Sequence, residues 1–324
     1  MAAMSEQYSL INKVGIVGAG IMGIGIAETM AAAGLTVHIF DQFPGKAEAS
    51  KQELAKRLDS RVSRGKLDSD TAAGVLDRIT PVDALGDLAE ANLVIEAVVE
   101  DIGVKRELIA ALEKCLPPEA IIATNTSSLS VTAIAGKAQN PQRIAGFHFF
   151  NPVPLMRVVE VIKAALTDAR VLDVLKELAV RVGHRPVMAS DTPGFIVNHA
   201  GRAYGTEALA MIRENIADFT TIDAILRDAA GFRMGPFELL DLTGLDVSHH
   251  GMEAIYGQYY HEPRYRPSVI TRQRLDAGLL GRKSGRGFYD YSEDATTAVA
   301  SDGARSLPKS VTIIGDTPDK ALHK

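Results

Sequence analysis

The sequence predicts an α/β protein: a doubly wound, largely parallel sheet in the N-terminal part, followed by an all-α C-terminal part. Three observations carry this. Short apolar runs alternate with helix-forming stretches as far as residue 190, the order that builds parallel sheets. A glycine-rich turn, Gly18-Ala19-Gly20-Ile21-Met22-Gly23, stands between the first such run and the first helical stretch. After Pro193 no long strand-like run interrupts a series of helical patterns that ends near Tyr291.

The elements follow in order. Residues 14–17 form an apolar run ending in glycines, residues 25–33 have helix-forming composition, and Gly34 closes that helix. Residues 36–40 form a second strand ending at Asp41, residues 93–98 a third and residues 120–124 a fourth, with helices over 47–64 and 104–115 between them. The region 143–162 differs, because two strand-like runs flank the turn Asn151-Pro152-Val153-Pro154. A parallel pair needs a long crossover, so this pair is antiparallel. A helix over 169–182, a brief strand at Val187-Met188 and the turn Asp191-Thr192-Pro193-Gly194 lead into helices over 198–215, 221–230, 236–250 and 268–277. The division is therefore 1–190, 191–291 and a linker-like tail, 292–324. Within the tail, Ser310-Val311-Thr312-Ile313-Ile314-Gly315 echoes Lys13-Val14-Gly15-Ile16-Val17-Gly18. It fits either the start of a further module or a terminal strand docked on the body.

The 324 residues are 46% hydrophobic and 23% charged, which excludes a disordered chain, and no apolar run reaches the roughly 18 residues of a membrane helix. A net charge of −5 argues against a nucleic-acid partner. The apolar stretch 14–27 is short and glycine-rich and does not read as a signal peptide. The single cysteine, Cys115, excludes a disulfide framework and points to a reducing, cytoplasmic compartment. Beside Leu116-Pro117-Pro118 it reads as packing, and His249-His250 lacks a carboxylate or cysteine at ligand spacing, so no metal is assigned. The basic stretch Lys51, Lys56, Arg57, Arg61, Arg64, Lys66 reads chiefly as a solvated helix face.

Three constellations carry chemistry. The glycine turn, between a strand and a helix, lets the backbone approach a pyrophosphate at the helix N-terminus, as in Rossmann-like domains. Asp41 ends the second strand and would accept hydrogen bonds from the adenine ribose, favouring NAD over NADP, with Gln42 beside it. Second, His148 and Glu160 each stand six residues from Pro154. A turn centred there sets them opposite, with Cβ atoms about 4.5–5.5 Å apart, and puts Phe147 and Phe149 on the other face. A carboxylate beside an imidazole makes a proton acceptor or donor, and equally a structural ion pair; geometry alone does not choose. Third, Thr124-Asn125-Thr126-Ser127-Ser128 follows the carboxyl end of a parallel strand, where ligands bind. Taken alone, Ser127 reads as a helix cap and Asn198 as an ordinary first-turn residue.

Together these stretches identify a resemblance. With His148-Phe149-Phe150-Asn151-Pro152-Val153-Pro154, Asp191-Thr192-Pro193-Gly194-Phe195-Ile196-Val197-Asn198, Met234-Gly235-Pro236-Phe237-Glu238-Leu239 and Gly281-Arg282-Lys283-Ser284-Gly285-Arg286-Gly287-Phe288-Tyr289, the chain resembles the L-3-hydroxyacyl-CoA dehydrogenases across residues 13–291. The resemblance implies NAD-dependent oxidation of a (3S)-3-hydroxyacyl-CoA and a homodimer joined through the helical domain. It implies His148 as catalytic base, Glu160 as its partner, and Ser127 and Asn198 as catalytic residues that bind the substrate oxygens. Gly18, Gly20, Ile21, Met22, Gly23, Asp41, Gln42, Glu100, Lys105 and Asn151 are expected near the cofactor, and Lys66 near the CoA moiety. The segment from Tyr256 to Ser268 is similar to bacterial enzymes of phenylacetate breakdown acting on 3-hydroxyadipyl-CoA. Arg264 and Arg266 offer cations for its distal carboxylate, though neither is assigned that role, and 3-hydroxybutyryl-CoA is the simpler substrate. A dehydrogenase of free hydroxyacids and a non-enzymatic NAD(H) sensor are the alternatives.

Overall fold

The computed structural model describes residues 11–292, so the strand-like run at 310–315 lies outside the described residues. An eight-stranded sheet is built from β1 (Lys13–Val17), β2 (Thr36–Phe40), β3 (Ile79–Val82), β4 (Leu93–Glu96), β5 (Ile121–Thr124), β6 (Ile144–Phe149), β7 (Val158–Lys163) and β8 (Arg185–Ser190). Its order is β3-β2-β1-β4-β5-β6-β7-β8. Neighbours run parallel except β6 and β7, which are antiparallel. The helices among these strands are α1 (Ile21–Ala32), α2 (Lys46–Ser63), α3 (Ser69–Asp77), α4 (Ile102–Cys115), α5 (Val131–Ala135) and α6 (Ala169–Arg181).

Alternation along the strands makes two core layers. Ile16, Leu93, Ile95, Ile121 and Ala123 pack under α1, α2, α3 and α6. Val17, Val94 and Ile122 point the other way, against Ile109 and Leu112 of α4 and Ile134 of α5. The chain leaves β1 toward β2 on one side and returns through β4 on the other. The carboxyl ends of β1 and β4 therefore flank the switch point, where ligands of such sheets lie.

The residue pattern did not announce α3 and β3. Pro81 sits inside β3, which is tolerable because β3 is the sheet edge and needs no second ladder there. The last strand is also longer than the two residues expected, since β8 pairs with β7 over six positions.

Between Ser190 and Ser292 the chain is helical: α7 (Val197–Ala200), α8 (Arg202–Arg213), α9 (Phe219–Ala224), α10 (Pro236–Thr243), α11 (Leu245–Gln258) and α12 (Val269–Asp276). Two helices expected as continuous are divided, at Gly201 and at Gly244, and a third passes at Ile225 into a wider π-helical turn. Gly244 adopts φ +86°, where a side chain is disfavoured, and a Cβ there would strike Lys283.

Two buried carboxylates hold this part together. Asp223 accepts the backbone N–H groups of Phe237 and Glu238, each at 2.9 Å, and the Tyr289 hydroxyl at 2.8 Å. Asp241 accepts the N–H groups of Phe288 and Tyr289, each at 2.8 Å. A Cβ on Gly235 or Gly287 would collide with these carboxylates, which gives both glycine-containing motifs a packing reason. No described helix is long and apolar enough to cross a membrane.

Candidate active site

The glycine turn fits a dinucleotide. Gly18 has φ +98°, and a Cβ there would stand 2.6 Å from the Ala97 carbonyl oxygen. A Cβ on Gly23 would run into the carbonyl of Gly18, so the turn can be tight only without side chains at these two places. Gly20 differs: within 4 Å of its Cβ position there is no atom of the described residues, so the space in front of it is open to them. Gly20 caps α1 with no side-chain hydrogen bond, leaving the first N–H groups of the helix available to an anion. Ile21 is exposed, and Met22 is half-buried against the core.

Asp41 lies beside this turn. Its carboxylate accepts the Ala19 N–H at 2.7 Å and the Phe43 N–H at 3.0 Å, and its remaining lone pairs suit ribose hydroxyls. Gln42 is exposed next to it. A cavity of about 270 Å³ between the turn and α2 is lined by Ile21, Lys46, Ser50 and Arg57, among others. Arg57 and Arg61 are more than a solvated face, because both reach Glu28, a buried carboxylate of α1, at 3.3 and 3.1 Å. Burial holds the Glu28 carboxyl above its ordinary range, against the pull of the two arginines.

Glu100 and Lys105 form a network that also takes in Glu96. The Lys105 ammonium is buried and donates to Glu96 Oε1 and Oε2 at 2.9 and 2.8 Å, with Glu100 Oε2 at 3.4 Å. The Thr124 hydroxyl also meets Glu96. Lys105 is therefore enclosed by carboxylates rather than presented to open space. Glu100 Oε1 accepts the Thr126 hydroxyl at 2.6 Å and the N–H groups of Ser127 and Ser128, each at 2.9 Å. Burial raises the Glu100 carboxyl, but the Lys105 ammonium and these donors outweigh it and hold it below the usual range. Glu96 escaped the sequence reading; an acid closing an otherwise apolar strand was its signal.

His148 and Glu160 are directly opposite in the β6/β7 register. Nδ1 of His148 meets Glu160 Oε2 at 2.7 Å, and both side chains are buried. Glu160 Oε1 accepts the N–H groups of Ile196 and Val197, each at 2.9 Å. The turn before them makes this possible: Gly194 and Phe195 both have positive φ, +78° and +49°, and fold the start of α7 back onto β7. For Phe195 that conformation is costly and is held by its surroundings. Burial pushes Glu160 up, while the His148 and backbone hydrogen bonds pull harder, so its carboxyl sits below the ordinary range. The rings of Phe150 and Phe195 lie 4.4 and 5.8 Å from that of His148. With Nδ1 engaged, Nε2 is the nitrogen left for a ligand.

The Ser127 loop is pinned from three directions. Glu100 holds it from the β4 side. Asn198 Nδ2 donates to the Ser127 carbonyl at 3.3 Å, and Gln258 Nε2 to the Ser128 carbonyl at 2.6 Å, both from the helical part. Asp191 accepts Ser130 Oγ at 2.8 Å and the N–H groups of Val131 and Thr132. The cap of α5 is Ser130, whose Oγ accepts the Ala133 N–H, so the exposed Ser127 hydroxyl is not occupied as a cap. Asn125, which the sequence reading passed over, accepts the Phe149 N–H at 2.8 Å and fixes the end of β6 just past His148.

His148, Glu160, Ser127, Asn198 and Glu100 thus belong to one connected arrangement. Asn151 is exposed two residues past the end of β6. Lys66 is exposed in the turn after α2, and no hydrogen bond or ion pair among the described residues joins it to that arrangement. Arg264 and Arg266 are likewise exposed. Cys115 donates to backbone carbonyls of Leu85 and Leu112, and burial raises its thiol, as suits packing.

Residues 13–192 match the model of the 3-hydroxyacyl-CoA dehydrogenase NAD binding domain, and residues 194–291 that of the C-terminal domain. The chain belongs to the 3-hydroxyacyl-CoA dehydrogenase family. It is 43% identical to an Escherichia coli protein described as 3-hydroxyadipyl-CoA dehydrogenase, over 89% of this chain but only 61% of that relative. It is 39% identical to a probable 3-hydroxybutyryl-CoA dehydrogenase of Bacillus subtilis, over 87% of this chain and 98% of the relative. Among solved structures, (S)-3-hydroxybutyryl-CoA dehydrogenase from Ralstonia eutropha superposes with a TM-score of 0.84 at 35% identity, covering 88% of this chain and all of that one. As a 3-hydroxyacyl-CoA dehydrogenase family member, the chain carries NAD as its nucleotide, in keeping with the open space at Gly20.

Proposed function

We propose that this family member oxidises a (3S)-3-hydroxyacyl-CoA to the 3-oxoacyl-CoA, with His148 and Glu160 as its acid–base pair. The observation that carries the reading is the 2.7 Å contact from His148 Nδ1 to Glu160, whose other oxygen is already tied to two backbone N–H groups. A carboxylate so fixed can do one thing for the imidazole: hold it with Nδ1 protonated and Nε2 free to take a proton. His148 Nε2 removes the proton of the C3 hydroxyl, and Glu160 balances the imidazolium. NAD supplies the acceptor for the C3 hydride. Ser127, whose exposed hydroxyl makes only a long 3.5 Å contact with Glu100, and Asn198, one loop away, hold the substrate oxygens so that proton and hydride depart in the right geometry. Glu100 acts as a positioning residue by fixing the Ser127 loop. In the reverse direction His148 donates the proton to the 3-oxo group.

The domain reading places nucleotide binding in residues 1–190 and dimerisation in residues 191–291. Exposed apolar side chains on the helices, including Ile225, Leu242 and Val247, supply surface for a second copy. The lone cysteine favours a reducing, cytoplasmic location. The E. coli relative's name raises 3-hydroxyadipyl-CoA as substrate, and the B. subtilis relative's name 3-hydroxybutyryl-CoA. The test is NADH oxidation with acetoacetyl-CoA against free acetoacetate. Turnover confined to the thioester supports the proposal; equal or greater turnover of the free acid refutes it.

A further inference from the structure

Among the described residues, Arg202 is an arginine without an anion. It opens α8 directly after Gly201, and its Nε is buried with no hydrogen-bond partner among the described residues. No described carboxylate forms an ion pair with its guanidinium. Burial lowers the arginine from its ordinary value, with no neighbouring charge offsetting the effect. A guanidinium stays protonated in proteins, so this is a partly desolvated, unpaired cation. Leaving one in place costs free energy that an incoming anion would recover.

Its position says which anion. Gly201, with right-handed angles of φ −71° and ψ −11°, is the single residue between α7 and α8. Arg202 follows Asn198 by four residues, as the first residue of α8 after the second of α7. Asn198 in turn touches the Ser127 loop across the boundary between sheet and helices. An acyl chain that leaves the oxygens held by Ser127 and Asn198 along the α7–α8 segment ends at Arg202.

We propose that Arg202 binds a carboxylate at the far end of the acyl chain, making the preferred substrate a short 3-hydroxydicarboxylyl-CoA. This rests on the dehydrogenase reading above and adds the residue that sets acyl specificity. The planar fork of Arg202 suits a bidentate carboxylate, whereas a methyl-ended chain would leave the cation unpaired. Arg264 and Arg266, exposed to water, gain far less from such a partner.

The test uses the full chain with NAD and two thioesters of equal length, 3-hydroxyadipyl-CoA and 3-hydroxyhexanoyl-CoA. The wild type is expected to favour the dicarboxylic thioester in kcat/KM. Arg202→Gln is expected to lower the ratio of the two kcat/KM values roughly 10- to 100-fold, and Arg202→Lys to lower it less. A ratio unaltered in R202Q overturns the proposal, as does a fall shared equally by both substrates, which would mark a packing role. Should R202Q fail to fold, the wild-type ratio decides, and a value at or below one overturns the proposal. Absence of turnover with both thioesters in the wild type would instead overturn the dehydrogenase reading itself.

Discussion

Replacing Glu160 by glutamine separates a catalytic pair from a structural one. One oxygen of Glu160 receives two backbone N–H groups and the other receives His148 Nδ1. Glutamine has a single acceptor oxygen. If that oxygen keeps the Ile196 and Val197 N–H groups, its NH₂ faces Nδ1, which must then accept. The imidazole proton moves to Nε2, and the nitrogen that should remove the substrate proton already carries one. The opposite orientation aims an NH₂ at two N–H donors and loses both backbone hydrogen bonds. Retaining the fold therefore selects the wrong tautomer. In a serine hydrolase triad the comparable carboxylate-to-amide change lowers kcat about 10⁴-fold. A loss of roughly 10³- to 10⁴-fold in kcat, or about 4–5.5 kcal/mol in the barrier, is expected here. Steady-state kcat with a 3-oxoacyl-CoA and NADH reads the loss, and NADH fluorescence titration of the same variant should give a dissociation constant near that of the wild type. A kcat within about tenfold of the wild type would refute the reasoning.

Glu160 also predicts a pH dependence of stability. Its folded carboxyl lies below the ordinary 4.5, so its contribution is fully present above that pH and fades as the pH falls through the lower folded value. The melting gap between wild type and E160Q should be level at neutral pH and narrow below about pH 4.5; a gap that widens on acidification contradicts this sign. Gly20→Ala should leave the melting temperature nearly unchanged, because no protein atom meets its Cβ, while weakening NADH binding by tenfold or more; intact affinity would move the pyrophosphate elsewhere. Lys105→Met leaves the Glu96 carboxylate buried without its cation and should cost roughly 3–5 kcal/mol in denaturant unfolding. A loss of NADH affinity at unchanged stability would show instead that Lys105 serves the cofactor.

What could be read from the residues, and what could not, divides by the range of the interactions. The β6/β7 pairing was legible because it is a local hairpin: the symmetry of His148 and Glu160 about Pro154 gives the register that the strands adopt. The glycine turn was legible because three backbone constraints fall within six residues. By contrast, the contacts of Glu96 with Thr124, Glu100 with Ser128, Asn125 with Phe149 and Asp191 with Ser130 join residues 24 to 61 apart, and no periodicity points from one to the other. The helix divisions at Gly201 and Gly244 were hidden for a related reason, since isolated glycines are tolerated in helices and only packing decides whether one becomes a break. Arg202 is the sharpest case. By composition it is one of many cations and less conspicuous than Arg264 and Arg266 beside their tyrosines. Its desolvation and its lack of a partner exist only once α7 and α8 are placed against the rest of the fold. A charge acquires meaning from what surrounds it, and a counter-charge missing among the described residues is visible only in the folded chain.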